Sequence, residues 1–139
     1  NRCRRQRQMC IRDSGYVVDQ GLNAVLSVNL TSGARSIVSS SAQSTASTSF
    51  IESVGIALNI DDQRLFVADS AQQAIIEVDI TSGIRTVLAS RQTPDNTLPF
   101  NRLSRIAYAS WCDCIYALDF DLGVMTIDTR TGQKNVLSR

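Results

Sequence analysis

Thr81-Ser82-Gly83-Ile84-Arg85 stands between two apolar runs, Ala74 to Ile80 before it and Thr86-Val87-Leu88 after it. The arrangement returns at Thr31-Ser32-Gly33-Ala34-Arg35 and at Arg130-Thr131-Gly132-Gln133-Lys134. Alternating apolar runs precede these copies (Val25 to Leu30, Val124 to Thr129), and short apolar segments follow them (Ser36-Ile37-Val38, Asn135-Val136-Leu137). Gly33, Gly83 and Gly132 therefore mark a period of about 50 residues, the mark of a repeat architecture. The register extends upstream through Tyr16-Val17-Val18-Asp19, Phe66-Val67-Ala68-Asp69 and Tyr116-Ala117-Leu118-Asp119. Ile56-Ala57-Leu58 likewise matches Ile106-Ala107-Tyr108, and Phe50 matches Phe100.

The second copy shows what one repeat contains. Val54 to Ile60 reads as a strand, Asp61 to Arg64 as a turn, Leu65 to Ala68 as a second strand and Asp69 to Gln73 as a polar turn. Ala74 to Ile80 and Arg85 to Ala89 complete a set of four, joined through Thr81-Ser82-Gly83. Short runs rich in Val, Ile, Leu and Phe, bounded by Asp, Ser and Gly, are the pattern of strands joined by hairpins. No window carries a 3.6-residue apolar stripe, so helices are excluded. Gly33, Gly83 and Gly132 are expected to supply the left-handed backbone that a tight turn requires. Four short strands in every ~50 residues predict an all-β chain, a partial β-propeller of about two and a half four-stranded antiparallel blades. The units would be a partial blade at 15–38 and blades at 50–89 and 100–139.

Residues 1–14 break the pattern, with five arginines and two of the four cysteines. Arg4-Arg5-Gln6-Arg7-Gln8-Met9-Cys10-Ile11-Arg12-Asp13 resembles the translation of a sequencing-library adapter ending in a transposon recognition sequence, and such scars are set aside before fold reasoning. Repeat-like sequence resumes at Gly15, inside the second strand of a blade, so the expectation is a fragment preceded by a non-native segment. The whole chain holds 14 Lys+Arg against 13 Asp+Glu, a net of +1. Without residues 1–14, which hold five Arg and one Asp, 9 basic residues face 12 acidic ones, a net of −3. The electrostatic footprint of a nucleic-acid binder goes with them. No apolar run is long enough to cross a membrane as a helix.

Propellers close with roughly four to eight blades, so further blades of the same chain are expected to pack on both lateral faces. Self-assembly of copies is the alternative. The stretches Ser39 to Ser49 and Arg91 to Pro99 link successive blades. The first reads as a flexible, small and polar loop, and both lie where propellers commonly place binding surface for a protein or carbohydrate.

Asp19, Asp69 and Asp119 share one repeat position, and two readings apply to them. They could line a central channel and bind a metal, or each could accept backbone N–H groups in the turn that follows. Recurrence in every unit favours the turn role. Asn29, Asp79 and Asp128 form a second such set before the glycine turn. Cys112 and Cys114 flank Asp113; in an extended strand their Cα atoms would lie about 7 Å apart, awkward for a disulfide. They read as ordinary small residues at a hairpin, with a redox or metal role as the alternative. The chain has no histidine, so Ser-His-Asp and Cys-His arrangements are excluded, and no cofactor is specified.

Leu65-Phe66-Val67-Ala68-Asp69-Ser70, followed by Ala74-Ile75-Ile76-Glu77-Val78-Asp79 and the Thr81-to-Arg85 turn, resembles blades of the NHL-repeat and SMP-30/gluconolactonase-like propellers, bacterial members above all. The resemblance covers residues 15–139. It implies either an interaction scaffold or a metal-dependent lactonase-like hydrolase whose Glu, Asn and Asp ligands lie in a central channel. The matching acidic positions here are repeated turn residues, so no catalytic or metal ligand is carried over. Export to the periplasm or beyond the cell is also implied.

Overall fold

A computed structural model describes residues 14–43 and 48–138. The adapter-like segment lies outside the described residues except for Ser14, which opens the first strand. The described chain is all-β and forms three consecutive antiparallel sheets. Sheet I holds β1 (Ser14–Asp19), β2 (Ala24–Asn29) and β3 (Arg35–Ser40). Sheet II holds β4 (Ser53–Asn59), β5 (Arg64–Asp69), β6 (Ala74–Asp79) and β7 (Arg85–Ala89). Sheet III repeats this order with β8 (Leu103–Ala109), β9 (Cys114–Asp119), β10 (Gly123–Asp128) and β11 (Lys134–Ser138). Among the described residues the sheets do not close into a ring.

Each sheet is a meander of tight hairpins, which is why the strand boundaries follow the polar punctuation so closely. The last two strands shift register at Val25/Leu26, Ile75/Ile76 and Val124/Met125, the same repeat position each time. A bulge there bends the outer strand and increases its twist.

Strand alternation decides how the sheets meet. Successive side chains of β5 point to opposite faces, so Leu65 and Val67 go one way and Phe66 and Ala68 the other. Leu65, Val67, Ile76 and Val78 pack with Val25 of sheet I and Phe50 of the first connector. Phe66, Ala68 and Ile75 pack with Ile115, Ala117, Met125, Ile127 and Phe100. Sheet II is thus buried on both faces, and its second strand reads as a continuous apolar run without alternation. β4 and β8, the first strands of their sheets, lie side by side.

Gly33, Gly83 and Gly132 adopt φ of 73°, 73° and 74°, each at the turn before the last strand of its sheet. Their surroundings differ. A Cβ on Gly83 would stand 2.5 Å from the Val38 carbonyl oxygen of sheet I, and one on Gly132 would overlap the Leu88 carbonyl of sheet II. A Cβ on Gly33 would meet nothing within 4 Å. Gly33→Ala should therefore cost about 1 kcal/mol, from the left-handed conformation alone. Gly83→Ala and Gly132→Ala should cost about 3 kcal/mol or more, because the sheets must also part. Urea unfolding midpoints of the three variants test this, and equal losses would show that the turns do not seat the sheets against one another.

Candidate binding surface

The two connectors are built around a buried cation. Arg85 sits two residues beyond the Gly83 turn, in a strand otherwise apolar or neutral, and is 2% exposed. Its Nη1 donates to the Ser40 carbonyl at 2.6 Å and to Ser39 Oγ at 2.8 Å. Its Nε donates to the Thr48 carbonyl at 2.5 Å and its Nη2 to the Gln43 carbonyl at 3.4 Å. The guanidinium lies 5.1 Å from the centre of the Phe50 ring. Lys134 repeats the device one unit later. Its Nζ donates to the carbonyls of Ser90 at 2.5 Å, Asp95 at 3.2 Å and Thr93 at 3.3 Å, and lies 5.3 Å from the Phe100 ring centre. Neither cation forms an ion pair among the described residues. Burial lowers the pKa of both groups, with Asp95 offsetting part of the effect at Lys134.

These cations take their places in the repeat without a role assigned to them by the sequence reading. The signal was present: a basic residue two positions past each turn glycine, and a phenylalanine ahead of each full unit. Of the loop expected over Ser39 to Ser49, residues 44–47 lie outside the described residues. Its described residues are tied down, with Ser39 Oγ donating to the Gly83 carbonyl at 2.7 Å and the Phe50 N–H donating to Ser41 Oγ at 2.7 Å.

The repeated carboxylates are not brought together; each serves its own sheet. Asp69 is fully buried, its Oδ2 accepting from the N–H groups of Ile51 (2.7 Å) and Glu52 (3.0 Å) and its Oδ1 from Gln72 (3.1 Å). Asp119 repeats this with four N–H donors: Asn101 and Arg102 on Oδ2, Asp121 and Leu122 on Oδ1. Burial alone would raise the Asp119 pKa, but these bonds outweigh it and hold the group below the usual carboxylate value. Asp19, at the open side of sheet I, accepts from Leu22 N–H at 3.0 Å. Among the described residues no group of three or more His, Cys, Asp or Glu could hold a metal ion.

Cys112 and Cys114 correct the sequence expectation. They form a disulfide, with Cα atoms 5.1 Å apart. The estimate of about 7 Å assumed an extended strand, whereas Asp113 between them has φ of 47° and folds the chain back on itself. Asp113 also accepts from Thr129 Oγ1 at 2.7 Å and Tyr108 OH at 3.1 Å, and meets Arg130 Nε at 3.3 Å. The Thr129 bond is the main reason its pKa falls. Trp111 stands on this hairpin 79% exposed, its ring centre 6.2 Å from that of Tyr116.

Two depressions involve the connector end and the inner strands. A shallow cleft of about 420 Å³ lies where the second connector meets the β5–β6 turn, lined by Gln72, Ser90, Arg91, Gln92, Asn96 and Pro99. A second, of about 380 Å³, lies where β1, β4 and β8 converge; its lining includes Tyr16, Val18, Val54, Ile56 and Arg105, but no carboxylate.

No protein family and no curated protein matches the chain. Solved structures do. One is that of a nidogen/laminin complex, at a TM-score of 0.71 and 18% identity over 93% of this chain and 45% of that one. Another is the hydrazine synthase of Kuenenia stuttgartiensis, at a TM-score of 0.62 and 13% identity over 89% of this chain and 32% of that one. A third is the extracellular domain of a hybrid two-component system from Bacteroides thetaiotaomicron, at 0.64 and 14% over 91% of this chain and 17% of that one. At these identities the likeness is one of fold, and this chain spans less than half the length of each.

Two predictions follow from the bonding just described. A group whose pKa is depressed by folding adds stability above its unfolded pKa, and that stability is lost as pH falls through the folded value. Asp119→Asn should therefore cost about 2–3 kcal/mol at neutral pH. It should also lose less further stability than the parent between about pH 6 and about pH 3, read from urea midpoints. An unchanged acid dependence would sink this account of Asp119. Trypsin digestion without reductant should yield the peptide Ile106–Arg130 lighter by two hydrogens than after reduction, and free thiols in that peptide would contradict the disulfide.

Proposed function

We propose that this chain is part of a β-propeller scaffold that binds a protein or carbohydrate partner through its connector face and catalyses no reaction. The observation that supports this most is the division of labour among its polar groups. The repeated carboxylates are occupied by backbone donors, and the depression where a central channel would lie is lined by apolar groups and Arg105. The cleft at the connector instead presents Arg91, Gln92 and Asn96 on a loop whose main chain is fixed by Lys134. Guanidinium and amide groups on a rigid loop suit hydroxyl and carbonyl acceptors, and their fixed placement limits the entropy lost on binding. The nidogen/laminin structure, which is that of a complex, is in keeping with a protein-binding role.

A location outside the cytoplasm belongs to the same reading. Disulfides persist in oxidising compartments, and one of the similar structures is an extracellular domain.

The test has two arms. The purified protein is applied to glycan and extracellular-protein arrays, and any hit is re-measured with Arg91→Ala and Asn96→Ala, which should weaken binding at least about tenfold, near 1.4 kcal/mol. In the second arm it is assayed on a panel of sugar lactones with added divalent metal. Turnover that depends on the metal and disappears with chelator would replace this reading with the lactonase-like one.

A further inference from the structure

The outer face of sheet I carries the same parts that sheets II and III bury against their predecessors. In sheet II those parts are Leu65, Val67, Ile76, Val78 and Arg85, all 2% exposed or less. In sheet III they are Ile115, Ala117, Met125, Ile127 and Lys134, equally buried. The corresponding side chains of sheet I follow from its strand register, which puts Val17 beside Leu26 and Val28 beside Arg35 on one face. Here Val17 is 44% exposed, Ile37 55% exposed, and Arg35 is exposed with no hydrogen-bond acceptor among the described residues. A groove of about 580 Å³ runs along this face past Val17, Leu26, Val28 and Arg35. Gly33, alone of the three turn glycines, faces open space.

We infer that this face is a docking surface for one further four-stranded unit of the same repeat, bringing its own connector. The occupant's chemistry is set by the two joints already present. Against Gly33 it places the main-chain carbonyl of its last strand, as Val38 and Leu88 do for Gly83 and Gly132. Around Arg35 it folds a connector offering three or four carbonyl oxygens and an aromatic ring, as Ser40, Gln43, Thr48 and Phe50 do for Arg85. Against Val17 and Ile37 it lays apolar side chains. A second copy of this chain meets only part of the requirement. The outer face of sheet III offers Tyr116, Leu118 and Val124 and, among the described residues, no connector carbonyls for the guanidinium. The solved structures of this fold, in which the matching region is less than half of one longer chain, favour a unit in the same polypeptide. The inference rests on the propeller reading, but uses none of the connector cleft.

The experiment extends the chain in register. A copy of residues 53–113 replaces residues 1–13 ahead of Ser14, so that a duplicate of β8 pairs with β1 and a duplicate of the second connector reaches Arg35. Arg35→Ala is then measured in the extended and in the 139-residue chain, with Arg85→Ala as the reference for an occupied socket. In the extended protein Arg35→Ala should lower the folding equilibrium constant at least about tenfold. In the 139-residue chain the change should stay within about twofold, as at an ordinary exposed site. Equal, small effects in both would overturn the inference. So would reversible self-association of the 139-residue chain that Val17→Asp abolishes, since a second copy would then be the occupant. A folded extended protein with unchanged array binding would leave the connector reading standing even then.

Discussion

Arg85 and Lys134 are positive charges taken out of water without an ion pair among the described residues, and the way they are accommodated governs how the sheets join. An isolated buried cation is costly, so its surroundings must replace the lost hydration. Here main-chain carbonyl dipoles converge on each cation while an aromatic ring covers one side. The convergence fixes the connector's path, seats Phe50 or Phe100 beneath it and draws the preceding sheet's last strand onto the turn glycine. Because all the acceptors but Ser39 Oγ are carbonyls, the contact constrains the connector's shape more than its side chains. The described Ser-rich residues 39–43, 48 and 49 and the Pro-containing residues 90–99 are unlike in sequence, yet carbonyls of each converge on a cation. That freedom leaves Arg91, Gln92 and Asn96 available to face outward.

The carboxylates close each unit from the other side. Asp69 and Asp119 tie the turn after the second strand to the segment entering the first strand, so one side chain sets two pieces of backbone at once. A carboxylate offers about four lone-pair directions. At Asp119 four N–H donors use them, and little accepting capacity remains for a cation. Among the described residues Asp19 has only the turn half of this arrangement, and sheet I holds no strand equivalent to β4 and β8.

Much of this was legible before any coordinates, because strands and turns are set by local patterns. Alternation, turn aspartates and positive-φ glycines placed nearly every strand of sheet II within a residue or so of where it lies. The joints were not legible, since their partners are distant and mostly main chain. Arg85 reaches back to Ser40 and Thr48, and Lys134 to Ser90 and Asp95; no side-chain pattern announces a carbonyl acceptor. The half of the Asp69 arrangement that binds Ile51 and Glu52 was hidden for the same reason. The disulfide was missed through geometry: spacing was judged for a strand, whereas Asp113 turns left-handed and brings its neighbours together.

The joints also carry a direction. Each sheet presents a cation and a turn glycine on one face, and sheets I and II present on the other a carbonyl edge that leads into a connector. Pairing two like faces of sheet I would bring Arg35 against Arg35 with no carbonyls between them, and burying two such charges is opposed by both repulsion and desolvation. Only stacking in one sense matches donor face to acceptor face. A contact of that kind is heterologous, and repeated with a constant rotation it closes into a ring or continues as an open array. The sheet twist and the recurrent bulge supply the rotation. The buried cation supplies the sense, which is why the Arg35 side of sheet I and the apolar side of sheet III are different surfaces.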